Sequence, residues 1–201
     1  MHQFRLTNDC LFQDGSPYRN RAEGQCLRDF LMALLQEFYT GESYRFKVVD
    51  DLGLACLATT AVCVYHEKRW HSTVLEKRAL VFATHHGSIV TDQEYQNCLD
   101  LNRRTSPRVF VQTLPNMAAG QVAACFGIRG EYYVLVQTSP DNATLENTAA
   151  LTLAYGGADL CLTGWMEYTI EQELTVKMTI RYAHEKDQFV GSLASASIAR
   201  S

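Results

Sequence analysis

The sequence predicts an α/β fold, a sheet layered with helices, and three observations predict it. Short apolar, β-prone runs alternate along the chain with segments of helical period. Its 201 residues are 47% apolar and 20% charged, the balance of an ordinary globular domain. The last patterned segment, Leu174–Tyr182, switches to strict two-residue alternation, the mark of a strand with one exposed face.

Taken in order, residues 23–39 place Leu27, Phe30, Leu31, Leu34, Leu35 and Phe38 at helical spacing, with Gly41 as the stop. Asp51 to Lys68 reads as a second, largely apolar helix, and Leu80–Thr84 as a buried strand. Asp92 to Leu101 reads as a short helix, and Pro115 and Asn116 open an alanine-rich one that runs through Cys125. A strand from Tyr132 to Gln137, a helix over Asn142–Tyr155 and a strand from Leu160 to Trp165 follow. Residues 191–201 are small and polar, a terminus expected to fray.

Composition removes several function classes. A net charge of −4 supplies no cluster of Lys and Arg for nucleic acid, so none is expected as a partner. The chain lacks an apolar run long enough to span a bilayer, and Met1-His2-Gln3-Phe4-Arg5 does not open a signal peptide, so a cytoplasmic protein without membrane contact is expected. Seven cysteines, Cys10, Cys26, Cys56, Cys63, Cys98, Cys125 and Cys161, form no CxxC pair. They read as buried thiols more than as a disulfide framework.

The densest motif content lies between Asn116 and Glu167. Asn116-Met117-Ala118-Ala119-Gly120 opens a helix, Phe126-Gly127-Ile128-Arg129-Gly130 forms a turn, and Tyr132–Val136 a strand. Tyr155-Gly156-Gly157-Ala158-Asp159 then precedes Leu160-Cys161-Leu162-Thr163-Gly164, which runs on to Glu167. This succession resembles the β-ketoacyl synthase family, whose nucleophile follows the central strand and whose last strand ends in Gly-Gly-x-Glu. Trp165 replaces the second glycine of that ending, as a plug in space that would otherwise serve an active site or a second domain. Upstream, Ala79–Thr84 resembles the strand before a Gly-rich turn, and Ser106-Pro107 the start of the interface loop. The defensible match is 79–167; residues 1–45 and 168–201 show none, and 1–201 is taken as a single N-terminal synthase-like domain.

The resemblance implies a thiolase-like half-fold: one mixed five-stranded sheet with helices on its faces, incomplete relative to a full synthase. It also implies that the catalytic cysteine is lost, because Ser139 occupies its position. A thiolate forms readily at a helix N-terminus, whereas serine needs an adjacent base. The family's histidines belong to a second half not matched here. Pro140 deletes a backbone N–H at the helix start, and Asp141 adds negative charge beside any oxyanion. Ser139 is therefore read as a helix entry; its use as the nucleophile of an independent acyltransferase or thioesterase is the alternative. Gln137 would match the glutamine that chain-length factors carry at the lost cysteine only after a two-residue slip, so it is read as a polar strand end. His85-His86, on an extended chain, would point to opposite sides and chelate no metal; a place near a pocket or subunit contact is its functional reading.

A half-fold leaves the strand Tyr132–Gln137 as an uncharged edge that invites pairing. In the family this strand pairs across a twofold axis. The resemblance therefore implies a catalytically inactive chain-length factor, of the aryl polyene type, in a heterodimer with a complete β-ketoacyl synthase that works on an acyl carrier protein. Tyr132, Tyr133, Leu135 and Gln137 would form the interface, and Arg108, Val109 and Phe110 the loop that shapes the acyl tunnel. No cofactor and no metal are implied. A binding or scaffold module for an acyl chain or carrier, without any synthase, is the remaining alternative.

Overall fold

Strand β4 (Arg78–Thr84) is buried along its whole length, and the rest of the fold is arranged around it. The computed structural model describes residues 2–41, 46–101, 103–139 and 142–183. Within them β4 pairs in parallel with β5 (Tyr132–Val136) on one side and β6 (Leu160–Tyr168) on the other. Next to β6 lies the antiparallel β7 (Leu174–Tyr182), followed by β1 (Gln3–Thr7), β2 (Cys10–Gln13) and β3 (Ser16–Asn20). The sheet is thus mixed and has seven strands, in the order β3-β2-β1-β7-β6-β4-β5, not five. The additional hairpin comes from the N-terminal residues, where runs of four or five residues are too short to show periodicity.

Helices α1 (Leu27–Phe38), α2 (Asp51–Tyr65) and α6 (Met117–Phe126) cover one face. Leu80, Phe82, Leu162, Met166, Val176 and Met178 point into this layer, with Phe4 and Leu6 of β1. The alternation in β7 places Leu174, Val176, Met178, Ile180 and Tyr182 inward, as its sequence pattern requires. Helix α2 is apolar all round because it is enclosed all round, from Leu52 to Val64. It stops at Tyr65, short of the predicted Lys68. Continuing it would carry Glu67 and Lys68 along a fully enclosed axis; instead Glu67 accepts the Arg69 N–H (3.0 Å) and starts the short helix α3 (Lys68–Ser72), which drops Trp70 into the core.

Among the described residues the second face carries a single helix, α7 (Asn142–Tyr155). Its Leu145, Ala149 and Leu153 pack on Ala79, Val81, Ala83, Cys161 and Trp165 of β4 and β6, with Leu135 of β5 at the margin. Trp165 therefore plugs the space beneath α7. Helices α4 (Ile89–Asp100) and α5 (Pro107–Gln112) pack against one another at the periphery, and α4 buries only Thr91. The predicted start of α4 at Asp92 lies three residues late, because Ser88, not Thr91, precedes its first turn. Residues 191–201 lie outside the described residues.

All seven cysteines are free thiols, and Cys10, Cys56, Cys63 and Cys161 are buried. Burial pushes the Cys63 and Cys161 thiols up to about 12.

Gly164 is the tightest point of the sheet. A Cβ built there would lie 2.6 Å from Met178 Sδ and 2.7 Å from the Lys177 carbonyl oxygen, a backbone atom that cannot swing away. Gly164→Val should therefore destabilise the chain by about 2–3 kcal/mol, read as a lowered urea midpoint with retained far-ultraviolet circular dichroism.

Candidate functional site

The carboxyl ends of β4, β5 and β6 meet at one side of the sheet. The register sets Thr84 beside Val136 and Ala83 beside Trp165, so Glu167 lies next to the turn that leaves β4. The chain leaving β4 reaches β5 through α6 on one face, and the chain leaving β5 reaches β6 through α7 on the other. A crevice at such a reversal is where α/β sheets place their sites. At this end of the sheet His85 and His86 follow β4, and Gln137 and Ser139 follow β5.

One carboxylate organises this crevice. Glu167, nearly buried near the end of an otherwise uncharged strand, accepts the backbone N–H groups of His85 (2.8 Å) and His86 (3.2 Å). It also pairs with His86 Nδ1 (2.9 Å) and accepts from Thr84 Oγ1 (3.3 Å). Thr84 Oγ1 in turn accepts the Gly87 N–H (2.9 Å), which closes a tight turn where Gly87 adopts φ +60° against Pro115. The His85 and His86 rings stack, with centroids 3.9 Å apart. That corrects the expectation of opposed side chains: the pair sits in a turn, where the alternation of an extended strand does not apply. Among the described residues no three His, Cys, Asp or Glu side chains are grouped as metal ligands.

The chemical consequence is an occupied donor set. The backbone N–H groups of this turn could face an external anion, but an internal carboxylate already takes them. An oxyanion hole needs donors free for the charge that develops in a transition state. Ser139 is exposed, and its hydroxyl makes no hydrogen bond among the described residues. Pro140 and Asp141, the two residues expected to oppose chemistry at Ser139, lie outside the described residues. Gln137 lies just past β5, its N–H donating to the Thr84 carbonyl (2.9 Å), and its buried Oε1 has no hydrogen-bond partner among the described residues.

The remaining predicted site residues form two groups. Tyr132, Tyr133 and Val136 are exposed on β5, whereas Leu135 is half-buried against the α7 cluster. Tyr133 donates its hydroxyl to Glu131 Oε2 (3.1 Å), and this bond to a carboxylate holds the phenol above its ordinary range. Arg108, Val109 and Phe110 lie on helix α5, not in a loop: Ser106 accepts the Arg108 N–H (3.3 Å) and Pro107 occupies the first turn. Arg108 and Phe110 are exposed and Val109 is half-buried. The Phe110 ring rests on Tyr95 of α4, centroids 5.6 Å apart, so this group packs principally on α4 and stands apart from the crevice.

Beyond the Glu167 turn lies a polar cleft of about 520 Å³, lined by Arg28, Asp50, Asp51, Ser88 and Tyr168. Asp50 caps α2 through the Gly53 N–H (2.8 Å) and accepts from Thr91 Oγ1 (3.1 Å); burial raises its carboxyl above the ordinary range. Sequence reasoning missed Thr84 and Glu167 as organisers. The available signal was a carboxylate ending a nine-residue strand that is otherwise free of charge.

Comparison with known proteins accords with this geometry. Residues 18–190 match the family model "Beta-ketoacyl synthase, N-terminal domain". No curated protein matches the chain by sequence. Among solved structures, a chain of the ishigamide ketosynthase/chain length factor aligns with a TM-score of 0.57 at 14% identity, over 71% of this chain and 46% of that one. A chain of the ketosynthase ApeO in complex with its chain length factor ApeC from Xenorhabdus doucetiae aligns at 0.51 and 14%, over 80% and 75%. A chain from the AntDE:AntF complex, a type II PKS acyl-carrier protein with its ketosynthase, aligns at 0.60 and 10%, over 93% and 62%. The chain thus spans less than two thirds of the first and third of these.

Replacing the organising carboxylate tests this description of the crevice. Glu167→Ala should strand the His85 and His86 N–H groups and destabilise by about 2–4 kcal/mol. Hydrogen exchange at residues 84–88 should accelerate more than at β7.

Proposed function

The chain belongs to the β-ketoacyl synthase family, and from that premise we propose that it is a non-catalytic, chain-length-factor-like partner of a complete β-ketoacyl synthase. The observation that carries this reading is the open edge of β5. Among the described residues that strand pairs only with β4; it carries neither charge nor proline, and exposes Tyr132, Tyr133 and Val136 by 48%, 42% and 64%. The opposite edge, β3, is of the same length but contains Pro17 and holds an Arg19–Glu37 ion pair, devices that keep an edge from pairing. One edge is blunted and the other is not, which supports a specific partner at β5.

Two observations support a role without covalent catalysis. Among the described residues the Ser139 hydroxyl makes no hydrogen bond to a base, and the backbone donors of the turn after β4 are taken by Glu167. Four of the seven cysteines are held as thiols by burial, Cys56, Cys63, Cys125 and Cys161, with Cys125 pushed up to about 11, and a thiol is a poor nucleophile. The structural neighbours that come from ketosynthase and chain length factor complexes support a synthase subunit as the partner, and an acyl carrier protein reached through it. In this reading Val109 and Phe110 bound the acyl tunnel from α5, where Phe110, Val111 and Leu114 form an apolar surface beside α4. The aryl polyene pathway is the specific assignment we attach to it, on the sequence resemblance given above.

Co-expression with a synthase and purification through a tag on this chain should yield a stoichiometric complex. Val136→Lys should abolish that complex while the chain stays folded, since Val136 is more exposed than Leu135, whose replacement would also disturb the α7 layer. A monodisperse monomer that captures no synthase at micromolar concentration would refute the reading.

In the reconstituted complex Ser139→Ala should keep product formation within a few-fold of wild type. A hundredfold loss, about 2.7 kcal/mol of barrier, with assembly intact, would restore a nucleophilic serine. Phe110→Ala should shift the product distribution, read by mass spectrometry, toward longer chains.

A further inference from the structure

Among the described residues α7 covers only part of its face of the sheet, and beyond it lies a pair of cations with no ion-pair partner. Strand pairing aligns Trp165, Lys177, Arg5 and Phe12 as direct neighbours across β6, β7, β1 and β2. Directly paired residues share a face, and Trp165 places this row on the α7 side. Helix α7 covers β4 and β6, so Arg5 is exposed and Lys177 half-exposed beyond it. Arg5 lies over the Phe12 ring, 4.4 Å from its centroid, which holds the guanidinium on the sheet surface. Trp165 and Lys177 also line a cavity of about 240 Å³ beside α7.

Like charges directly opposite one another weaken an antiparallel pair, and the carboxylates bordering this face do not relieve them. Glu167, diagonal to Lys177, is committed to the His85–His86 turn. Glu146 pairs with Arg181, and Asp14 with His2 and the Gln3 N–H. Neither Arg5 nor Lys177 forms an ion pair among the described residues. This positive strip stands on a chain whose net charge is −4.

We propose that the Arg5–Lys177 strip is a docking surface for an acidic segment of a partner protein, whose carboxylates supply the charge that the fold withholds. The site is separate from the β5 edge and does not depend on the function proposed above. Charge complementarity selects the occupant: two cations flanked by aromatic rings fit carboxylates carried on a chain, which can meet both at once.

The test uses the full chain and a fluorescent octaglutamate peptide, followed by anisotropy at low and physiological salt. Wild type should bind with an affinity that falls as salt rises. Arg5→Glu/Lys177→Glu should weaken binding by about tenfold or more, whereas Lys68→Glu, on the exposed side of α3, should leave it within about twofold. Lys177→Glu alone should raise the urea midpoint by giving Arg5 a cross-strand counter-charge, and it should still weaken peptide binding. A readable stability gain without any peptide binding by wild type would overturn the proposal, leaving a solvated sheet face. Equal loss in Lys68→Glu would also overturn it, as would inorganic phosphate displacing the peptide at an equal concentration of anionic groups; the first reports non-specific attraction and the second a simple anion site.

Discussion

The structure depends on β4 being buried on both faces and paired on both edges. A strand in that position can hold only apolar or internally satisfied residues, and Ala79–Ala83 meets the condition. Because β4 is parallel to both neighbours, each link from one strand to the next must cross a face of the sheet. Helix α6 therefore lies on one side and α7 on the other, and the crevice opens at the shared carboxyl ends. Strand β6 extends the arrangement: parallel to β4 and antiparallel to β7, it joins the layered half to the hairpin half, and Gly164 permits the close approach at the seam.

The same geometry explains why the crevice reads as a scaffold more than as a reaction centre. Parallel strands end together, so backbone donors from the turn after β4 converge there, and in many α/β proteins such donors hold an anion. In this chain Glu167 reaches into that place and pairs with His86 besides. The bonds stabilise the turn and, by satisfying the donors, leave little electrostatic help for a developing oxyanion. The two edges of the sheet differ as well: β3 contains Pro17, whereas β5 carries neither proline nor charge.

Much of the fold was legible from sequence because its signals are local. The five-residue run Tyr132–Val136, the alternation of Leu174–Tyr182 and the helix Asn142–Tyr155 each carry their pattern within one element, and each appears where the pattern places it. The motif succession from Asn116 to Glu167 was legible for the same reason: turns and strand ends at set spacing are properties of a continuous segment. Features short in sequence were not legible. Strands β1 to β3 need partners to exist, and Pro107–Gln112, a helix of six residues, offers too little length for periodicity to separate it from a loop.

By itself, then, the sequence determined the α/β class and the order of the principal strands and helices, because these follow from local periodicity. Tertiary structure alone decided what lies between distant segments. Glu167 meets Thr84 and His86 across more than eighty residues, and Arg5 faces Lys177 across the pairing of the first strand with the last. Both contacts arise from strand register, which is set when the whole sheet assembles and one face of each strand is buried. No local pattern encodes which residue will stand opposite which.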